Sequence, residues 1–595
     1  MIDIHLQWRT VCVALAVAVG VTALAWTFAP PVYLTNDDVS IRLALEGQAE
    51  PGQPPTGFVL LTHAVLGWAL VALHRLTPGL PLWDLTIVGT LLLAVSVLVA
   101  LAWNALGRAW PARATALSVV LVAVLPLFGS VQFTFGATLA GAAAVLAAGL
   151  ELVRGERPRR AVLAAAAGLF LLGALVRPMG AMAGGLAGGL ALLPLACWPG
   201  PARWARALRL AGVATVAGAA VGLLLSLDTA LYTLDEEASA YHRYNWQLAQ
   251  ILEWGGELQE EEVEAMRAAA GWSRNDWAML EGWFGVDPAV HGYAQVASAY
   301  ETRGGGAGWL SALAQPGASG PAGVPARVRR LAGESVMPLA ALAFLVGAWA
   351  SRRGLVAAAL VVLLFAAYCL AIETVFKELP FRLLAPLQGA FLVGGLLSIA
   401  GLRRAPHPVA VVLGLSAVLL LAVQDGRVVA ATLAAERRHA LQVDGEVAAL
   451  ADLSPSLLVL HADAFPAEHW WRPFHTPPTP LAAVHLIANN QRPALQRFLR
   501  AAALQPLPRA LCDDPSILIV AQDGRLEGLT AYLDEHHGLA VAWERVVEAS
   551  FEAWRCVVVS EPAADAAARA LSPATPSPRA VSAARTVPSS REAGS

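Results

Sequence analysis

Apolar residues recur along this chain in runs of about 17–22, long enough to cross a hydrocarbon core of roughly 30 Å as helix. Such runs cannot all be hidden inside a water-soluble globe. Of 595 residues, 57% are hydrophobic and 14% charged, against about 25% charged in an average soluble domain. Simple soluble enzyme classes are therefore excluded. The ten-residue alternation of a transmembrane β-barrel is absent, so the pattern predicts a polytopic α-helical membrane protein. The net charge of −3 is nearly balanced and gives no electrostatic support to a nucleic-acid partner.

The runs lie near residues 11–29, 83–104, 115–130, 134–153, 161–178, 181–199, 210–227, 336–351, 354–372, 383–401 and 407–424, which predicts about eleven transmembrane helices. The first run follows Arg9 and imitates a signal peptide. No small-residue cleavage site precedes Pro30, so it reads as a retained helix. Basic residues in short loops mark the cytoplasmic side. Arg9, Arg108 and Arg113, Arg154 to Arg160, Arg203 to Arg209, Arg352 with Arg353, and Arg403 with Arg404 each follow an even number of spans. One orientation satisfies them all: N-terminus cytoplasmic, C-terminus extracytoplasmic, in a bacterial inner membrane. Phe58 to Leu76 would break this parity if it spanned. It is expected to lie on the membrane surface, with His63 and His74 on one face.

This divides the chain into a transmembrane module (1–227) with an acidic first outer loop, an extracytoplasmic helical insert (228–333), a second transmembrane module (334–424), a small α/β domain (425–562) and a disordered tail (563–595). The insert opens acidic and continues through aromatic-rich helix around Trp272 to Trp283 to a Gly/Pro/Ala-rich linker at 304–325. In the α/β domain, Ser456 to Leu460 and Ser516 to Val520 read as buried strands and Ala483 to Leu504 as helix. Cys12, Cys197 and Cys369 fall in apolar runs and read as core thiols. Cys512 and Cys556 pair if their region faces an oxidising compartment, and stay reduced otherwise.

A few charges resist explanation by topology. Asp37 and Asp38, within Tyr33 to Arg42, are adjacent carboxylates just beyond the first span. Such a pair can take a proton from an attacking hydroxyl or hold a divalent cation. The plainer reading is that Asn36 and Asp37 cap a helix over Val39 to Leu45. Arg177, followed by Pro178, sits at the outer end of a span, against the positive-inside rule. It suits a phosphate headgroup, or simply snorkels to the interface. Lys377, the sole lysine, and Arg382 share a late outer loop with Glu373 and Glu378, as phosphate ligands or as plain helical ion pairs. Arg42, His63, Tyr241, Arg243 and Asn245 are candidate substrate contacts; the aromatic stretch Tyr241 to Trp246 equally suits an interfacial belt. His536 and His537, being adjacent on a helix, point apart and read as a surface pair rather than a metal site. Glycines 184–189 read as close helix packing. No P-loop, GxSxG elbow or HExxH motif is present.

Together these residues resemble the GT-C superfamily of integral-membrane glycosyltransferases, which use polyprenyl-phosphate sugars and include the protein O-mannosyltransferases. Asp37 and Asp38 match the family's acidic first outer loop, Phe58 to Leu76 an interfacial helix, Arg177 with Pro178 the Arg-Pro of a middle helix, and Lys377 with Arg382 the basic late loop. Asn36 to Asp38 followed by a long insert is similar to a bacterial subgroup. The likeness of architecture covers residues 1–424.

The resemblance implies inverting transfer from a polyprenyl-phosphate-linked donor to an envelope glycan, lipid or protein. Asp37 or Asp38 would act as base, and Arg177, Lys377 and Arg382 would meet the leaving phosphate. It implies no certain cofactor, with a divalent cation at Asp37 and Asp38 left open. A multi-pass transporter or flippase, and a non-catalytic envelope assembly protein, are the alternatives. A transporter would favour inverted repeats and broken midplane helices; no such repeat is visible, and the outward loops are too large for that design.

Overall fold

The structure is a computed structural model that describes residues 8–28, 30–105, 129–154, 158–197, 202–253, 258–304, 352–375, 381–402, 431, 434–461, 464–477, 481–486 and 491–559. The chain opens with α1 (Trp8–Phe28), β1 (Val32–Tyr33), α2 (Asn36–Glu46), α3 (Ala64–Leu76), α4 (Leu82–Ala105) and β2 (Ser130–Val131). The bundle continues with α5 (Phe133–Arg154), α6 (Arg160–Val176), α7 (Pro178–Ala196) and α8 (Arg203–Tyr232). Among the described residues, five helices are long and apolar enough to cross a membrane: α1, α4, α5, α7 and α8. The expected spans at 336–351 and 407–424 lie outside the described residues, as do the linker beyond Gly304, most of the 115–130 run and the tail.

Helix α5 is the axis of the bundle, with 94% of its apolar window buried. It packs so closely on α7 that a Cβ on Gly141 would strike the Ala181 carbonyl, and one on Gly184 the Thr138 carbonyl. Small residues here let two backbones approach and gain dispersion contact, which drives helix association in lipid. Helix α8 is peripheral, with 11% of its window buried. It turns Leu208, Val216 and Leu223 outward, a surface stable against lipid rather than water. Cys12 and Cys197, expected in the core, are exposed on outward surfaces; Cys369 is buried.

Helix α3 has 13 residues, roughly 20 Å at 1.5 Å per residue, too short to span. It buries Gly67, Leu70 and Val71 and exposes Val65, Trp68 and Leu73, as an amphipathic surface helix does. The helix begins later than expected, because His63 is its N-cap, its Nδ1 accepting from Val65 N at 3.1 Å. His63 and His74 therefore do not share a helical face.

The insert folds as α9 (Glu236–Leu252), α10 (Glu260–Ala270), α11 (Arg274–Glu281), α12 (Pro288–His291) and α13 (Tyr293–Thr302) around Tyr244, Leu248, Trp272 and Trp277. The expected boundary at 227 falls inside α8, which runs on to Tyr232. Two further bundle helices, α14 (Arg352–Val375) and α15 (Phe381–Leu402), pack on α7 through Phe365, Leu387 and Phe391.

After a helix over residues 434–452 (α16), five strands form one mixed sheet in the order β4-β3-β5-β7-β6. They are β3 (Leu457–His461), β4 (Ala483–Leu486), β5 (Ile517–Val520), β6 (Val541–Glu548) and β7 (Glu552–Val558). Helices α17 (Pro493–Ala501), α18 (Leu507–Asp513) and α19 (Asp523–His537) flank them. Ala483 to Leu486 was expected as helix. It instead pairs in parallel with β3, and Pro493 starts a separate helix at its first position, where a missing N–H costs nothing. One sheet face packs on the insert through Met279, Phe284 and Val286; the other joins a core with α2, α3 and α4.

That second core contains a buried polar lock. Asp84, at the start of α4, accepts from the Tyr33 hydroxyl and from Phe474 N at 2.7 Å, and lies 3.6 Å from the Arg42 guanidinium. Arg42 also donates to Glu46 Oε1 (3.1 Å) and to the carbonyls of Arg472 (2.9 Å) and His475 (3.1 Å). Burial, then the Asp84 charge, hold the Tyr33 phenol well above its ordinary pKa, so it stays a donor. The lock ties the first loop, α4 and the 472–475 turn together.

Three outcomes follow. Arg42→Ala strands the Asp84 carboxylate, which is 0% exposed, and should cost about 3–5 kcal/mol. A detergent-solution unfolding series should show it, with Asp84→Asn restoring part of the loss. Cys512 and Cys556 are joined, Cα–Cα 4.8 Å, closing a 44-residue separation. The Cys512→Ala/Cys556→Ala variant should lower the stability of the sheet region by up to about 4 kcal/mol, read by limited proteolysis. His485, buried beside Trp471 with both ring nitrogens unpartnered, is held by burial, then by Arg492, at about 3 against an ordinary 6.5. Its unfolded form gains a proton near 6.5 and its folded form only near 3. Stability should therefore fall as pH drops through that window, and a pH-dependent melting series of His485→Leu should be flatter there.

Candidate active site

The acidic pair is placed by a short parallel pairing of β1 with β2, Val32 opposite Ser130 and Tyr33 opposite Val131. Leu34 N adds a bond to Val131 O at 3.0 Å. This lays the start of α2 against the start of α5. Helix α2 begins at Asn36 with Thr35 as N-cap, three residues earlier than the sequence suggested, so Asp37 and Asp38 both sit in its first turn. Carboxylates there complement the helix dipole.

Successive residues on a helix point about 100° apart, and the pair divides accordingly. Asp38 turns inward and is 0% exposed. Its Oδ1 accepts from Phe133 N at 3.0 Å, the first amide of α5, and its Oδ2 from Thr35 Oγ1 at 3.2 Å. It therefore satisfies a helix N-terminus that would otherwise be orphaned. Asp37 is half-buried at the edge of this junction.

Arg177 ends α6 and caps α7 in extended conformation, φ −155° and ψ 96°. Its guanidinium lies over the Phe133 ring, 5.4 Å from the centroid, and NH1 donates to Leu61 O at 3.3 Å. Leu61 holds φ at 73°, a left-handed conformation that costs a leucine about 1–3 kcal/mol. Phe133 is thus the meeting point: its amide is held by Asp38 and its ring carries Arg177.

Sequence reasoning missed the polar groups around this point. Gln132, the residue before α5, is 1% exposed with neither amide atom partnered; Thr62 Oγ1, next to Leu61, and Thr138 Oγ1, beside Gly180 near the Arg177 stem, are also buried without a partner. Buried polar atoms left unsatisfied cost about 1–3 kcal/mol each. They are what a polar ligand or ordered water would meet. No sequence signal marked them, since single Gln and Thr residues beside apolar runs are common.

The other expected contacts divide. Arg42, expected as a substrate contact, belongs to the Asp84 lock. His63, expected as a substrate contact, is 0% exposed, its Nε2 on Leu224 O at 2.9 Å and its Nδ1 used as a cap. With Asp228, which accepts from Ala64 N at 2.7 Å, it fastens α3 to α8. Tyr241 is buried, Asn245 half-buried and Arg243 exposed on α9. Arg382 is the second residue of α15, and Lys377 lies outside the described residues.

No protein-family model matches the chain, and no curated protein matches it. Two solved structures align with it, both of ArnT from Cupriavidus metallidurans. The one bound to undecaprenyl phosphate is 15% identical, covering 92% of this chain and 97% of that one at a TM-score of 0.34. The apo form is 14% identical, with the same coverage and TM-score.

Proposed function

We propose that the chain is a membrane glycosyltransferase that moves a sugar from a polyprenyl-phosphate donor to a hydroxyl of an envelope glycan, lipid or protein. The observation that supports this reading is the junction at Phe133, where Asp38 and Arg177, from distant parts of the chain, meet beside buried, unpartnered polar atoms, with Asp37 the next residue along α2. An acid–base group and a phosphate-matching cation at a membrane boundary are what this transfer requires.

In this reading Asp37 is the base and Asp38 a positioning group. Asp37 takes the proton of the acceptor hydroxyl while that oxygen bonds to the sugar C1. The C1–O bond to phosphate breaks on the opposite face, inverting the centre, and the lipid phosphate leaves with the electron pair. Arg177 meets that charge, with Lys377 and Arg382 as further candidates. A leaving phosphate stabilised by fixed cations needs no covalent enzyme intermediate. The Cys512–Cys556 disulfide supports an extracytoplasmic, oxidising side for the sheet region, and hence a bacterial inner-membrane enzyme working at its outer face.

The test is glycan and lipid-linked-sugar analysis of a deletion strain carrying variants at equal protein level. Asp37→Asn should reduce transfer by about 10²–10⁴-fold, and Arg177→Ala by about 10²–10³-fold. Full product from Asp37→Asn would sink the catalytic assignment. Accumulation of substrate on the inner leaflet would point to transport instead.

A further inference from the structure

Away from this junction, the insert and the sheet region meet through a cluster that the function above does not use. Asp276 on α11 and Glu535 and His536 on α19 each offer one ligand atom, and these atoms lie within 4.8 Å of one another. Asp276 is 2% exposed, and its Oδ1 is 2.8 Å from His536 Nε2. Ser273 Oγ donates to Glu535 Oε2 at 2.9 Å, and Asp276 Oδ2 accepts from Ser273 N at 2.9 Å. His536 turns to Asp276, and His537 is not part of the cluster, though both rings lie against Tyr532.

The cluster rests on a buried base: His291, 1% exposed, has its Nε2 3.0 Å from the Asp276 backbone carbonyl. The rings of His291 and His536 both pack on Tyr532, at 6.2 and 4.5 Å between centroids.

We propose that Asp276, Glu535 and His536 form a divalent transition-metal site that fastens the insert to the sheet region. One imidazole with two carboxylates suits zinc, with water completing a four-coordinate shell. Two donors of one tetrahedral zinc ion lie about 3.4 Å apart, so the cluster, whose ligand atoms lie within 4.8 Å of one another, closes on an ion by side-chain rotation of the exposed Glu535 and His536. The ion takes the place of the shared proton between His536 and Asp276, and Ser273 orients both carboxylates from behind. The site joins residues 259 or more positions apart in the chain, so metal binding stabilises the contact between the two regions.

The experiment uses full-length protein in detergent, stripped with chelator and titrated with zinc against a chromophoric chelator. One equivalent should bind, and zinc should raise the melting temperature. Glu535→Gln, at an exposed position, and His536→Ala should each weaken binding by more than about tenfold and abolish the thermal shift. His439→Ala, outside the cluster, should leave both intact. The proposal is overturned if wild type takes up no zinc, if both cluster variants bind it as wild type does, or if the His439 variant loses it equally. None of these readouts depends on sugar transfer.

Discussion

Asp84 is a carboxylate with no access to solvent at the head of an apolar helix, and the arrangement around it depends on how that charge is met. Left alone it would cost several kcal/mol. Three separate pieces of chain answer it: the Tyr33 hydroxyl from β1, the Arg42 guanidinium from α2 and the Phe474 amide from the C-terminal half. Because Arg42 also donates to the carbonyls of Arg472 and His475, the first loop and the C-terminal turn hold one another in place. The bundle and the sheet region are thereby coupled through a polar contact rather than through apolar area alone.

The candidate site is built on the frame this lock holds. With β1 beside β2, the start of α2 falls on the start of α5, and Asp38 satisfies an amide that α5 cannot satisfy itself. The same helix start carries the ring under Arg177. Asp37 is then held at the edge of a rigid junction, one residue from a carboxylate that has no freedom to turn. Preorganisation of this kind costs nothing at the moment of reaction.

Much of this was legible in the order of residues. The apolar runs announced α1, α4, α5, α7 and α8 because a membrane span has to satisfy its backbone internally and repel charge. Asp37, Asp38 and Arg177 stood out because charge at a membrane boundary is expensive without a partner. Arg42 and His63, expected as substrate contacts, are engaged inside the fold, Arg42 with Asp84 and two backbone carbonyls and His63 with Val65 and Leu224. A charge in an unexpected place signals that something answers it, and not whether the answer is a substrate or another part of the protein. Ala483 to Leu486 misled for a different reason: a four-residue apolar stretch fits a strand or a helix, and only the open edge of β3 decides.

The sequence by itself determined that the chain belongs in a membrane, where its short loops carry arginine, and which few charges need explanation. These are matters of local composition and period, which each segment carries on its own. Tertiary structure decided which of those charges are spent on holding the fold. It separated Asp37 from Asp38, turned Arg42 and His63 inward, brought Cys512 to Cys556 and set His536 against Asp276. Each of those outcomes depends on contacts between segments distant in the chain, and a partner so far away leaves no trace in local pattern.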